Sequence, residues 1–164
     1  MKNGKINIEV EFPLIVSFEK QFYVAETVSQ YTTCKKKFIP ILEGLTESVI
    51  DANGILYKRH GVKFFKYVNA FLGFSIKYAG FGACYVEKEL ERVGAMNVDD
   101  LKRKGHQIIN SNKNAFVDID INVNEIRTEF DSLLIKEDIL TYMRYLTDVS
   151  RFRKPTTVLL RGKK

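Results

Sequence analysis

Apolar and polar residues alternate with a period of two along several stretches of the chain, and this period is typical of β-strands with one buried face. The strictest alternations cover residues 5–12 and 116–123. Other stretches are rich in β-branched and aromatic residues, which strands favour. Strands are therefore predicted at residues 5–12, 55–57, 62–68, 72–78, 106–109 and 116–123, with strand composition again at 156–160. A turn at 58–61 separates two of them, and residues 69–70 join 62–68 to 72–78 as a hairpin.

Elsewhere apolar residues recur every three or four positions, which predicts amphipathic helices. Several begin at a residue suited to capping, such as Asn97, or end at a glycine, such as Gly105. Residues 18–31 fit a helix, although their aromatic and β-branched residues also suit a strand. Helices are predicted at 18–31, from Pro40 to about Ile50, at 86–93, from Asn97 to Lys104, from Asn124 to Leu134, and at 139–149.

These elements predict an α+β fold in a chain of 164 residues, a length typical of one domain. We expect a single compact domain over residues 1–150, with a mostly antiparallel sheet built around a central aromatic hairpin. Four to six short helices pack against that sheet. Residues 151–164 form a basic C-terminal tail or an edge strand.

The net charge of +6 comes entirely from the C-terminal end of the chain. Residues 1–150 contain as many acidic as basic side chains, whereas residues 151–164 contain no acid. Such asymmetry favours a polyanionic partner. The alternative is a tail that only aids solubility. The basic residues of the tail are Arg151, Arg153, Lys154, Arg161, Lys163 and Lys164.

Residues 52–86 contain no Asp or Glu and hold 9 of the 20 Phe and Tyr residues. Aromatic rings stack on nucleic-acid bases, and lysine or arginine follows the phosphates. The alternative is that these rings fill the core of a hairpin. The candidate contacts in this stretch are Tyr57, Lys58, Arg59, Lys63, Phe65, Lys66, Tyr67 and Lys77. The lysine run at residues 35–37 is either a solvated surface or a further phosphate contact.

The favoured function is therefore a non-catalytic, basic nucleic-acid-binding protein that contacts single-stranded DNA or RNA. The alternative is a structural or regulatory subunit of a larger assembly, encoded by a virus or phage, or a homo-oligomer. That hypothesis places exposed aromatic residues in a protein interface. The candidate interface residues are Tyr31, Tyr142 and Tyr145.

A third hypothesis is a metal-dependent nuclease. Asp118 and Asp120 project from one face of the predicted strand and would hold Mg²⁺ together with Glu87 or Glu89. The alternative is an exposed strand face with no catalytic role. Neither histidine has metal-ligand spacing, and no phosphate-binding or nucleophile motif occurs, so no cofactor or metal is predicted. The two helices within 125–149 resemble a helix-turn-helix, or form an ordinary α-hairpin.

Cys34 and Cys84 are too few for a disulfide framework, and two reduced thiols are expected, although one bridge stays open. No stretch approaches the roughly 20 apolar residues of a membrane span. The N-terminus lacks the pattern of a signal peptide. We therefore expect an intracellular protein, or one assembled within a virion, with no membrane contact.

Overall fold

A computed structural model describes residues 4–68 and 82–148 of the chain. Three sets of predictions lie outside these residues. They are the strand at 72–78 with its hairpin connection, the contact residue Lys77, and the basic tail at 151–164.

Seven strands and six α-helices lie within the described residues. The strands are β1 (Lys5–Ile6), β2 (Leu14–Phe18), β3 (Gln21–Ala25), β4 (Thr33–Lys35), β5 (Glu47–Ile50), β6 (Ile55–Tyr67) and β7 (Ala83–Ala95). The helices are α1 (Val28–Thr32), α2 (Ile39–Gly44), α3 (Val98–Ser111), α4 (Lys113–Val117), α5 (Val123–Ser132) and α6 (Lys136–Thr147), with a 3₁₀ helix at Lys36–Phe38.

The strands form one mostly antiparallel sheet in the order β1-β7-β6-β5-β2-β3. The two 13-residue strands, β6 and β7, pair along most of their length and form its centre. One end of β7 also pairs with β4, and its middle pairs with β1 in parallel. The predicted α+β class, with a mostly antiparallel sheet and short helices, is confirmed.

The chain divides into two compact units, residues 1–19 with 25–95, and residues 20–24 with 96–164. The first unit contains every described strand except most of β3, and the second contains α3 to α6. The assignment of residues 1–150 to a single domain stays a prediction.

A cluster of charged side chains lies buried in the first unit. Glu47 of β5, Arg59 of β6 and Lys88 of β7 are 1%, 7% and 4% exposed. The Lys88 ammonium lies 3.1 and 3.2 Å from the two carboxylate oxygens of Glu47, and Arg59 Nε lies 3.2 Å from Glu47 Oε2. The single Glu47 carboxylate therefore pairs with two cations, and these ion pairs link three neighbouring strands.

Polar and aromatic groups complete this cluster. The Tyr31 hydroxyl donates to Glu47 Oε1 at 2.5 Å, and Lys88 Nζ lies 3.7 Å from the centre of the Tyr31 ring. The Arg59 guanidinium also donates to the carbonyls of Leu42 and Leu45, at 2.6 and 2.9 Å. Burial lowers the pKa of Lys88, and the Glu47 carboxylate opposes that shift. These contacts provide the partners that buried charges require.

The helix predicted at 86–93 is wrong, because these residues belong to β7. Val86 and Leu90 are four positions apart, a spacing that fits one helical face and also one strand face. The deciding residue is Lys88, which is buried between them on the same strand face. Its charge hid the alternation in the sequence, although Glu47 compensates for it in the fold.

The turn predicted at 58–61 is also wrong, since β6 runs continuously through it. The basic residues and Gly61 resemble a turn, but Arg59 points into the charged cluster. The β6–β7 register shifts between Arg59 and Gly61, so the glycine marks an irregularity in the ladder rather than its end.

Two strands predicted in the second unit are helical or irregular. Residues 106–109 continue α3, because Leu101, Ile108 and Ile109 are buried on one helical face. Residues 116–123 contain the end of α4, a turn in which Asp120 has a φ of 58°, and the first residue of α5. The Asn122 side chain accepts from the Asn124 N–H and caps α5, so local capping overrides the alternation.

The N-terminal fifty residues contain less helix than predicted. Residues 18–31 contain β3 and most of α1. Their aromatic and β-branched residues form a strand at 21–25, where a helix was predicted. The helix at Pro40 ends at Gly44, and β5 follows. The strand predicted at 5–12 is limited to β1.

The helix predicted after Asn97 is confirmed, with the Asn97 side chain accepting from the Asp100 N–H at 2.8 Å. This helix does not end at Gly105. Instead Gly105 is buried where a β-carbon would overlap the Phe130 ring of α5. The glycine therefore allows α3 and α5 to approach closely.

We expect Glu47→Gln to destabilise the protein by about 3–5 kcal/mol, because Lys88 and Arg59 would remain buried without a counter-charge. Lys88→Met removes the surplus cation and leaves Glu47 with Arg59 and Tyr31, so its cost is smaller. Urea unfolding measures both values. Equal losses, or a larger loss for Lys88→Met, would contradict this account.

We expect Gly105→Ala to destabilise the protein by about 1–3 kcal/mol through overpacking against Phe130. Helix propensity alone predicts the opposite sign, by about 1 kcal/mol. Thermal unfolding of Gly105→Ala beside Gly44→Ala, whose added methyl group meets no atom within 4 Å, separates the two effects. A stabilised Gly105→Ala protein would refute the close approach.

Candidate nucleic-acid interface

The lysine run at residues 35–37 lies beside the end of the β6–β7 pair. Lys35 of β4 is opposite Ala83 of β7, and the Lys36 N–H donates to the Gly82 carbonyl at 3.1 Å. These backbone contacts fix where the 3₁₀ helix begins. Two basic segments that are about 30 residues apart in the sequence therefore meet at one end of the sheet.

The first group at this end, here called the Lys36 cluster, consists of Lys36, Phe64 and Tyr67. Lys36 Nζ lies 5.2 Å from the centre of the Phe64 ring and 5.5 Å from that of Tyr67, and donates to the Tyr67 hydroxyl at 3.2 Å. The two rings meet edge to face with their centres 5.1 Å apart. The Phe64 ring is 41% exposed, so solvent reaches an aromatic surface beside a cation.

A second group, the Phe65 cluster, consists of Lys5, Phe65, Lys66 and Tyr85. Lys5 Nζ and Lys66 Nζ lie 4.7 and 5.2 Å from the centre of the Phe65 ring. Lys66 Nζ also lies 5.7 Å from the centre of the Tyr85 ring. These distances fall within the roughly 6 Å over which a cation is attracted to an aromatic face.

Acidic residues of β7 oppose the other half of the predicted interface. Lys63 is in register with Glu87 and pairs with Glu89 at 2.6 Å, and Lys58 is in register with Glu91. The hydrogen bond that Lys63 donates to Glu89, followed by the charge of that carboxylate, raises the pKa of Lys63. The stretch that lacks acids in the sequence is thus bordered by carboxylates in the fold.

Towards the C-terminal end of β6, the residues opposite on β7 are no longer acidic. Lys66 is in register with Tyr85, and Tyr67 with Cys84. Among the lysines of β6, Lys66 is therefore the one that faces no acid across the β6–β7 ladder. Lys5 of β1, which also contacts Phe65, is in register with an acid, Glu87.

Two of the predicted contact residues are buried. Arg59 belongs to the charged cluster around Glu47. The Tyr57 hydroxyl donates to Asp51 Oδ2 at 3.0 Å, and burial, together with this carboxylate, raises the pKa of Tyr57 to about 12. Both side chains stabilise the fold, and neither presents a surface to a polymer.

The predicted metal site required Asp118 and Asp120 to project from one strand face, and the structure contradicts this arrangement. Asp118 directly follows α4 and Asp120 lies in a turn, so the two do not share a strand face. Glu89, one of the proposed third ligands, is paired with Lys63. Among residues 4–68 and 82–148, no group of three or more His, Cys, Asp or Glu side chains is placed to hold a metal ion.

The aromatic residues assigned to a protein interface are mostly inside the protein. Tyr31 and Tyr142 are buried, and Tyr145 is half-buried. The Tyr142 hydroxyl donates to Glu129 Oε2 at 2.8 Å. The hypothesis of an assembly subunit stays a prediction, without these buried rings as its contacts.

Sequence reasoning missed Phe64, Tyr85 and Lys5 as members of this surface, and left Lys36 open. The signals in the sequence were the aromatic stretch at 52–86, which includes Phe64 and Tyr85, and the lysine run at 35–37; contacts between β4, β6 and β7 bring them together. The predicted residues Phe65, Lys66 and Tyr67 do lie at this end of β6, whereas Lys63 is paired with Glu89.

Comparison with protein-family models, curated proteins and solved structures finds no match to this chain. In the part of the chain that the structure describes, no helix is long and apolar enough to cross a membrane.

Proposed function

We propose that this protein binds single-stranded nucleic acid, with the Lys36 and Phe65 clusters as its contact surface. The observation that carries the proposal is the placement of Lys36 beside the half-exposed Phe64 ring and Tyr67. No catalytic step is part of this function.

The chemistry of a single strand matches such a surface. Each nucleotide combines a negatively charged phosphate with a flat aromatic base, and an unpaired base exposes both of its faces. Lys36 supplies a cation for the phosphate, while Phe64 supplies an apolar ring on which the base stacks. A duplex keeps its bases stacked on one another, so we expect weaker binding of duplex DNA.

The neighbouring cluster extends the same arrangement. Lys5 and Lys66 flank Phe65. Lys66 and Tyr85 alternate with Tyr67 and Cys84 along their strands, so this cluster lies on the opposite face of the sheet from the Lys36 cluster, and a strand that wraps around this end of the sheet meets both. Lys63 contributes less, because its ion pair with Glu89 competes with phosphate. The basic residues of the tail, at 151–164, add electrostatic attraction that is independent of base identity.

We expect Lys36→Gln/Lys66→Gln to weaken binding of a labelled single strand, and to lower the slope of log affinity against log salt by about 1.4, the effect of two lost phosphate contacts. Fluorescence anisotropy at several salt concentrations measures both quantities. Lys20→Gln/Lys113→Gln is the matched control, since it removes two exposed lysines outside the clusters. Equal losses in both proteins would mean that only total charge matters.

We expect Phe64→Leu to weaken the same binding by about fivefold or more, because stacking on a base contributes about 1–3 kcal/mol. The salt slope should not change, since no charge is removed. Leu134→Ala, at an apolar side chain that is 79% exposed, provides the control. Unchanged affinity for Phe64→Leu in correctly folded protein would exclude this ring from the contact surface.

A further inference from the structure

The two cysteines of the chain face each other across a pair of strands. Cys34 of β4 is directly opposite Cys84 of β7, and their sulfur atoms are 3.9 Å apart. This proximity does not follow from the sequence, in which 50 positions separate them. It results from the short pairing of β4 with the end of β7.

The backbone at this pair suits a disulfide. Opposed residues on antiparallel strands have Cα atoms about 4.5 or 5.5 Å apart. Disulfide-bonded cysteines have Cα separations of about 4.4–6.8 Å, so both values fall within that range. Closing the sulfur–sulfur distance from 3.9 Å to a bond thus requires side-chain rotation rather than movement of the strands.

The two thiols differ in their access to solvent. Cys84 is fully buried in an apolar cluster with Ile39, Val62 and Val86. Cys34 packs against the same cluster but is only half-buried. A small reagent therefore reaches Cys34 first, and Cys84 is placed to attack the product.

We propose that Cys34 and Cys84 are a reversible dithiol–disulfide couple that exchanges with low-molecular-weight disulfides, with Cys34 as the attacking thiol and Cys84 as the resolving thiol. The Cys34 thiolate attacks one sulfur of oxidised glutathione, which breaks that bond and releases one glutathione. The Cys84 thiolate then attacks the Cys34 sulfur and releases the second glutathione. The two protein thiols lose two electrons, and their protons pass to the two released glutathiones.

The surroundings of the pair set the rate of this exchange. Burial, followed by the neighbouring Cys84, raises the pKa of Cys34 to about 12, whereas Lys88 acts in the opposite direction. Burial also raises the pKa of Cys84, against the effects of Cys34 and Lys36. Both thiols are therefore protonated at neutral pH, and exchange is slow because the thiolate is the reactive form.

The disulfide would close a loop between residues 34 and 84, which restricts the unfolded chain and stabilises the folded state. We expect the midpoint of thermal unfolding to rise by roughly 5 °C or more in the oxidised protein. Dithiothreitol should reverse the change.

The test incubates the full chain with excess oxidised glutathione at about pH 8.5, where more thiolate is present. Remaining thiols are then blocked with N-ethylmaleimide, and the products are identified by intact mass and peptide mapping. We expect a monomer that lacks both maleimide adducts and contains a peptide linked through Cys34 and Cys84. Wild-type protein that keeps both thiols, or stops at a glutathione adduct, would overturn the proposal.

The single variants test the order of the two steps. Cys84→Ser should stop at the mixed disulfide on Cys34, because the resolving thiol is missing. Cys34→Ser should retain a free, buried Cys84 and show no change in its unfolding midpoint after treatment. Faster glutathione addition to Cys84 than to Cys34 would refute the assigned roles. Even if a variant folds poorly, peptide mapping of the wild-type protein shows whether Cys34 and Cys84 form a disulfide.

Discussion

The buried carboxylate of Glu47 is the interaction on which the sheet depends. It lies where β5, β6 and β7 run side by side, and pairs with Arg59 and Lys88. Charges removed from water are tolerated only with such partners. A shift of one residue in strand pairing would move these side chains to the opposite face, so the cluster favours one register. That register positions the end of β6 that carries the aromatic rings.

The same cluster explains why sequence patterns predicted the fold class but not its central strand. Helices with clear caps and one apolar face, such as α3 after Asn97, were predictable because local contacts decide them. In β7, the inward-facing Lys88 is indistinguishable from a solvent-exposed lysine until its partner on β5 is known. At residues 116–123 the reverse holds, because the Asn122 cap outweighs a strand-like alternation.

The candidate interface shows a similar division. Composition identified the aromatic and basic stretch, and three of its predicted contact residues, Phe65, Lys66 and Tyr67, do lie at one end of β6. Composition does not reveal that Arg59 is buried, or that β7 places carboxylates opposite Lys58 and Lys63. Composition also does not predict that Lys36 contacts Phe64, because this contact depends on β4 joining the sheet. Strand pairing therefore determines which of the basic side chains remain available to bind a phosphate group.

The proposed nucleic-acid contact centres on the Lys36 cluster. Ultraviolet crosslinking of nuclease-treated protein to single-stranded RNA and DNA, followed by mass-spectrometric identification of the joined peptides, tests it most directly. If a strand lies on this cluster, crosslinks form at Phe64 or Tyr67 and high salt suppresses them. Crosslinks confined to peptides without either residue, or none under conditions in which a strand binds, would contradict it.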